Sequence, residues 1–329
     1  MRLIMMGTGP FAVPTFRRLL DSKHTVAALF TRPPRTPPGR KTVPVNPMRQ
    51  VAEEQGLLIV EPESINTEES RIELARLSAD LMVVCDYGQI LSSDTLSVTR
   101  YGGINLHASL LPKYRGAAPI NWAIFHGETE TGVTVIHMTP KLDAGPCLVQ
   151  HRMPIDTNDT ALEVEMRLAQ LGAPAVEEAI ALLTSGGAGK AGLQDAAQAT
   201  QAPRLKKTDG LVDWTRSAEA IRNQVRAMQP WPKTYTFWTR TGHEPLRLIL
   251  EQVTVQPQDA RAEPGVVVET GDDRLIVACG RGSLALDQLQ PAGKRVMMAS
   301  EFLRGYGLKP GDRLQSSAVG GTGVIPSEA

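Results

Sequence analysis

The chain has 329 residues, long for one compact core, so two domains are the natural expectation. Its 35 lysines and arginines balance 35 aspartates and glutamates, which excludes a globally basic nucleic-acid binder and leaves only a local surface for such a partner. Three widely spaced cysteines (Cys85, Cys147, Cys279) suit neither a disulfide framework nor a zinc site, and no apolar run approaches membrane-helix length, so a reducing cytoplasm and no membrane partner are expected.

In chain order, residues 3–6 read as a strand, 10–20 as a helix and 25–30 as a second strand. Further strands are expected at 56–60, 80–85, 103–106 and 132–137, with a helix at 68–77. This alternation implies an α/β domain with a largely parallel sheet covered on both faces. After Asn158-Asp159, the spacing of Leu162, Met166, Ala169 and Ala173 predicts a helix that closes the domain at about residue 185. The Gly-, Ala- and Gln-rich stretch 186–208 reads as a linker. A second unit, 209–314, offers a helix at 217–228 and strands at 235–238, 246–255, 265–268, 274–278 and 283–289, a pattern for a small β-barrel or sandwich. The polar, Gly-rich tail 315–329 is expected to be disordered.

Gly7-Thr8-Gly9-Pro10 lies where the first strand meets the first helix, the place of a dinucleotide-binding loop. Pro10 suits a first helical position, and Phe30-Thr31-Arg32-Pro33 carries no acidic residue to hold a ribose. A structural turn is therefore favoured over an NAD(P)-dependent dehydrogenase.

More informative is Asn105-Leu106-His107-Ala108-Ser109-Leu110-Leu111-Pro112-Lys113-Tyr114-Arg115-Gly116, followed later by Leu142-Asp143-Ala144-Gly145. Side-chain alternation along a strand puts Asn105 and His107 on one face, and a loop after another strand presents Asp143. An amide, an imidazole and a carboxylate suit acyl transfer without a covalent nucleophile. Each motif alone is commonly a strand end or a turn.

In this order and spacing, however, the motifs resemble those of the folate-dependent formyltransferase family. The resemblance implies a Rossmann-like catalytic domain over 1–185 and an OB-like C-terminal barrel over 209–314. It implies 10-formyltetrahydrofolate as co-substrate, with no metal. Asn105, His107 and Asp143 match the family's catalytic trio, and Ser109, Leu110, Leu111 and Pro112 match its folate loop. Tyr87 and Gly88, at the end of Leu81-Met82-Val83-Val84-Cys85-Asp86, match the turn that lines the pterin pocket, with Asp86 standing where the family usually has Ala.

The acceptor amine must be read from the rest of the chain. Residues 31–50 hold Arg32, Arg35, Arg40, Lys41 and Arg49 without an acidic residue and read as one long basic loop. Residues 202–233 carry seven basic against three acidic residues, Lys206 and Lys207 among them. Residues 209–314 are nearly neutral, 14 basic to 13 acidic, so an RNA footprint there would be one-sided. By resemblance to members of the family that formylate initiator methionyl-tRNA for translation initiation, Arg35, Arg40, Lys41, Lys206 and Lys207 are expected tRNA contacts on a monomeric enzyme. Amino-sugar formyl transfer, formyl-folate hydrolysis and a non-catalytic RNA-binding module are the alternatives.

Overall fold

The computed structural model describes residues 1–36, 44–186, 192–240, 242–256, 261–271 and 274–317. It divides into two compact units: 1–120, 129–156 and 163–204 form the first, and 121–128, 157–162 and the chain from 205 onward form the second.

The first unit is built on strands β1 (Arg2–Met6), β2 (Thr25–Phe30), β3 (Leu58–Val60), β4 (Leu81–Val84) and β5 (Gly103–His107). Between them run helices α1 (Val13–Leu20), α2 (Pro47–Glu54), α3 (Glu68–Arg76) and the single turn α4 (Ser93–Leu96). Leu3, Ile4, Met5 and Met6 are all fully buried, as befits a central strand covered on both faces. After the short strand β6 (Arg115–Gly116) and helix α5 (Pro119–Phe125) come β7 (Glu130–His137), β8 (Cys147–Pro154), the long helix α6 (Ala161–Thr184) and the short β9 (Gln201–Ala202). The sheet order is β3-β2-β1-β4-β5-β7-β8. β1 to β5 pair in parallel, and the chain reverses its direction of travel across the sheet between β1 and β4, where an open α/β sheet leaves a crevice.

Two expectations are refined. The strand expected at 132–137 forms as β7 and is antiparallel to β5, which leaves the sheet mainly, not wholly, parallel. The expected loop over 31–50 also ends early. Asn46 caps α2 by accepting the N–H groups of Met48 and Arg49 at 3.0 and 3.1 Å, and Pro47 sits at the first helical position.

The second unit contains α7 (Ala218–Ala227), β10 (Thr234–Trp238), β11 (Leu246–Gln256), β12 (Val267–Thr270), β13 (Leu275–Ala278), β14 (Ser283–Pro291), β15 (Met297–Met298), α8 (Ala299–Tyr306) and β16 (Leu314–Gln315). Its antiparallel sheet runs β12-β13-β14-β11-β10-β16. Bulges in β11 bend it. Its two edges then meet: Val266 bridges Arg313, and the Val267 N–H donates to Asp312 O at 2.8 Å. The sheet thus curls on itself around Trp214, Ile221, Trp238, Leu248, Leu286 and Phe302, an OB-like half-barrel. Gln315, the first residue of the expected tail, pairs with Phe237; residues 318–329 lie outside the described residues.

Candidate active site

β5 ends at His107, whose imidazole is 6% exposed. Its Nε2 lies 2.8 Å from Tyr114 O. A carbonyl only accepts, so Nε2 carries the hydrogen and Nδ1 is left for other partners. Asn105, two residues earlier and half-buried, shares the His107 face of the strand.

Asp143 arrives from the β7–β8 loop. The loop follows β7, as expected, and because β7 is antiparallel it starts beside the amino end of β5, with His137 paired to Ile104. The segment doubles back: Gly145 crosses the end of β7 so closely that a Cβ would lie 1.8 Å from His137 O, which only glycine tolerates. Asp143 Oδ2 then stands 3.7 Å from His107 Nδ1 and accepts the Gly116 N–H at 2.9 Å. Its side chain is 9% exposed, so imidazole and carboxylate face each other with little water to screen them.

The loop after β5 is tied by one buried hydroxyl. Thr134 Oγ1, on β7, donates to Ser109 O at 2.6 Å and accepts from Leu111 N at 3.1 Å and Gln150 Nε2 at 3.0 Å. Ser109 Oγ donates to Lys113 O at 2.7 Å, and the Leu111–Pro112 peptide is cis. Ser109 and Leu111 are buried while Leu110 is half-buried, so the loop shows a ligand its backbone and Leu110 more than the Ser109 hydroxyl.

At the end of β4 the turn over 86–88 meets the glycine turn, with the Thr8 N–H donating to Asp86 O at 3.1 Å. Asp86 reaches solvent as a residue, but its Oδ2 packs on Gly9, where a Cβ would come within 1.8 Å of it. Burial pushes the Asp86 carboxyl up to about 6, with Arg32 pulling the other way. Burial and then Asp86 also raise Glu165. A carboxylate pressed on the glycine turn is a poor neighbour for a pyrophosphate, which removes the remaining support for the dehydrogenase reading. Tyr87 is 2% exposed inside an apolar cluster with Met6, Phe30 and Leu91, so any ligand contact it makes is through its backbone; Gly88 is exposed. Burial, then Asp86 and Glu165, push the Cys85 thiol up, so it is no nucleophile.

The other expected site residues lie apart. Arg35 pairs with Glu63 and lines a cavity of about 860 Å³ that it shares with Thr8, Arg32, Asn46, Arg49 and Gln89, none of them in the trio. Lys206 and Lys207 are exposed on the second unit. Arg40 and Lys41 lie outside the described residues. Residues that sequence reasoning missed are Thr134, Gln150, Gln194 and Thr200. All four act on the loops through backbone atoms, a relationship no local motif signals.

The chain is similar to known proteins over both of its units. The formyl transferase family matches residues 1–180, and the C-terminal domain of formyl transferases matches 204–307. Methionyl-tRNA formyltransferase of Rhodopirellula baltica is 43% identical over 327 residues, covering 95% of this chain and 96% of its own. That of Acidobacterium capsulatum is 45% identical over 318 residues, covering 95% and 99%. Among solved structures, the N-formyltransferase of Helicobacter canadensis, in complex with folinic acid and dTDP-3-aminofucose, superposes with a TM-score of 0.64 at 17% identity, covering 86% of this chain and 98% of that one. The sugar 3N-formyl transferase WlaRD, in the presence of 5-N-formyl-THF, gives 0.63 at 18%, covering 90% and 99%. With both of its units matched and its length shared with these relatives, the chain belongs to the formyl transferase family.

Proposed function

We propose that this enzyme transfers the formyl group of 10-formyltetrahydrofolate to the amino group of initiator methionyl-tRNA in the cytoplasm, yielding N-formylmethionyl-tRNA for translation initiation. The observation that carries the acceptor is full-length similarity: the relatives named for methionyl-tRNA are 40–45% identical over 95% of the chain, second unit included. The amino-sugar enzymes share the fold at 17–18%. In this reading residues 1–185 carry the chemistry, 209–314 carry tRNA recognition, and the enzyme works as a monomer.

Asn105, His107 and Asp143 are assigned the chemistry. The folate supplies an activated formyl group, and its fit rests on a nearly dry His107–Asp143 pair beside a loop of apolar side chains and backbone, suited to a flat, partly apolar ring system. The Asn105 amide and a proton on His107 Nδ1 face the charge that develops on the formyl oxygen. Such fixed donors are each worth about 2.7–4 kcal/mol of barrier in a water-poor site. With Nε2 tied to Tyr114 O, only Nδ1 can serve, which narrows the role expected from sequence. Asp143 orients the imidazole and takes up the proton released by the attacking amine; collapse of the tetrahedral intermediate then breaks the bond between the formyl carbon and folate N10, which takes a proton in turn and leaves as tetrahydrofolate. The folate would lie along Ser109, Leu110, Leu111 and Pro112 and the Tyr87-Gly88 backbone. Arg35, Arg40, Lys41, Lys206 and Lys207 are the proposed phosphate contacts.

A transfer assay with formyl-folate and three acceptors tests the reading: methionyl-tRNA, free methionine and an amino-sugar nucleotide. Transfer to methionyl-tRNA alone is expected. Preferential transfer to the sugar, or release of formate with no acceptor, would replace it by an alternative, and tight RNA binding without transfer would leave only a binding module.

A further inference from the structure

We infer that Gln194 is a positioning residue for Asp143: from the segment after α6, its side-chain amide clamps the 143–145 turn and sets where the Asp143 carboxylate stands against His107. The inference rests on the role proposed above for Asp143.

Gln194 Nε2 donates to Asp143 O and to Gly145 O, each at 2.8 Å. Its Oε1 accepts from Arg115 Nε at 3.1 Å and Nη2 at 2.6 Å. A primary amide has two N–H groups and two lone pairs, and here all four are used. Arg115 is joined to Gly116, whose N–H binds Asp143 Oδ2 at 2.9 Å. A closed ring results: residues 115 and 116 hold the carboxylate and the amide oxygen, and the amide nitrogen holds the backbone of the residue that bears the carboxylate.

The ring has something to restrain. Asp143 sits at φ +48°, a left-handed conformation that side-chain-bearing residues hold only where neighbours impose it. Gln194 is itself tethered on both sides. Gly192 exchanges two backbone hydrogen bonds with Cys147 at 2.9 and 3.0 Å. Thr200 accepts the Tyr114 N–H through its hydroxyl at 2.8 Å and the Arg115 N–H through its carbonyl at 2.9 Å, and β9 pairs with β6. Residues 192–202, in the stretch that composition marked as linker, are thus stitched onto the loops carrying Tyr114, Gly116 and Asp143. Tyr114 O in turn fixes the His107 ring. A residue serving only the stability of the turn would need none of this convergence on one carboxylate.

The test uses the full-length protein. Gln194→Leu removes all four hydrogen bonds, and Gln194→Glu keeps the Arg115 partner while setting a carboxylate against two carbonyl oxygens. Each variant is assayed for formyl transfer with folate and acceptor varied separately, alone and combined with Asp143→Asn; single-turnover measurement reads the slow variants. Misplacing a reacting group by an ångström costs up to about 100-fold, so a fall in kcat of about 10–100-fold with both KM values nearly unchanged is expected. In the Asp143→Asn background, Gln194→Leu should lower the rate no further, since both act through one carboxylate. Wild-type kcat in both Gln194 variants, or losses that multiply in the double variant, would overturn the clamp. Should Gln194→Leu not fold, the near-isosteric Gln194→Glu decides on the same criteria. If Asp143→Asn itself retains transfer, the chemistry assigned to Asp143 falls first and the clamp with it; if Asp143→Asn is crippled while the Gln194 variants are not, the clamp alone falls.

Discussion

Asp143 Oδ2 faces His107 Nδ1 across 3.7 Å while the Gly116 N–H holds the same oxygen at 2.9 Å. The carboxylate is thereby fixed by the backbone and still available to the imidazole. His107→Ala, Asp143→Asn and Asn105→Ala should each lower kcat by about 100-fold or more, the scale seen when a fixed donor to a developing oxyanion is removed. Thermal melting of Asp143→Asn and Asn105→Ala should stay close to wild type, while His107→Ala, which loses the buried bond to Tyr114 O, should melt lower but still cooperatively. Near-normal turnover in folded His107→Ala would remove the assignment.

Thr134 is the second point of leverage, since one fully buried hydroxyl serves Ser109 O, Leu111 N and Gln150 Nε2. Thr134→Val keeps the shape and strands those polar groups, at a cost of about 1–3 kcal/mol for each buried group left unpaired. The loop over 109–112 should loosen, so the KM for formyl-folate should rise several-fold more than that for the acceptor. A lowered melting temperature with unchanged folate KM would show that the hydroxyl braces the sheet and not the ligand loop.

Most of the β-strands were legible in the residues because their signal is local: an all-apolar run such as Leu3-Ile4-Met5-Met6 admits little but a buried strand, and the alternation around Asn105 and His107 puts both on one face. What escaped was pairing direction. Nothing in Gly132-Val133-Thr134-Val135-Ile136-His137 tells a parallel strand from an antiparallel one, and that choice decides from which end of β5 Asp143 approaches. The start of α2 escaped for another reason: proline-rich, basic composition outweighed the Asn46-Pro47 pair, although a side-chain cap followed by proline is a helix-start signal. The supports of the site were invisible, since Gln194 reaches Asp143 across 51 positions and Thr200 reaches Tyr114 across 86.

Asp86 offers a pH signature. Its carboxyl is raised from 3.8 to about 6 in the folded protein, first by burial and against the pull of Arg32. A raised carboxyl makes the folded state bind its proton more tightly than the unfolded chain does, so stability is greatest below the unfolded value and is lost as pH rises through about 6. Asp86→Asn, nearly isosteric and uncharged, should therefore melt above wild type at pH 7.5 and converge with it toward pH 4. Melting curves across that range check this, and a constant offset between the two proteins would dissociate Asp86 from the pH dependence.

Lys206 and Lys207 are exposed at the start of the second unit, and neither makes an ion pair among the described residues, so both are free to meet phosphates. Contacts of that kind release counterions, which makes affinity fall with salt in proportion to the number of phosphates neutralised. Replacing both by Ala should weaken binding of methionyl-tRNA and lower the slope of log affinity against log salt by about 1–2, while the folate KM stays put. Their neighbours make the outcome informative: residues 209–314 are nearly neutral, 14 basic against 13 acidic, so a footprint on this unit has little net positive charge to draw on and the loss of two cations should be felt. An unchanged salt slope in the double variant would move the phosphate contacts elsewhere on the chain, with Arg35 and the basic residues near it as the next group to neutralise.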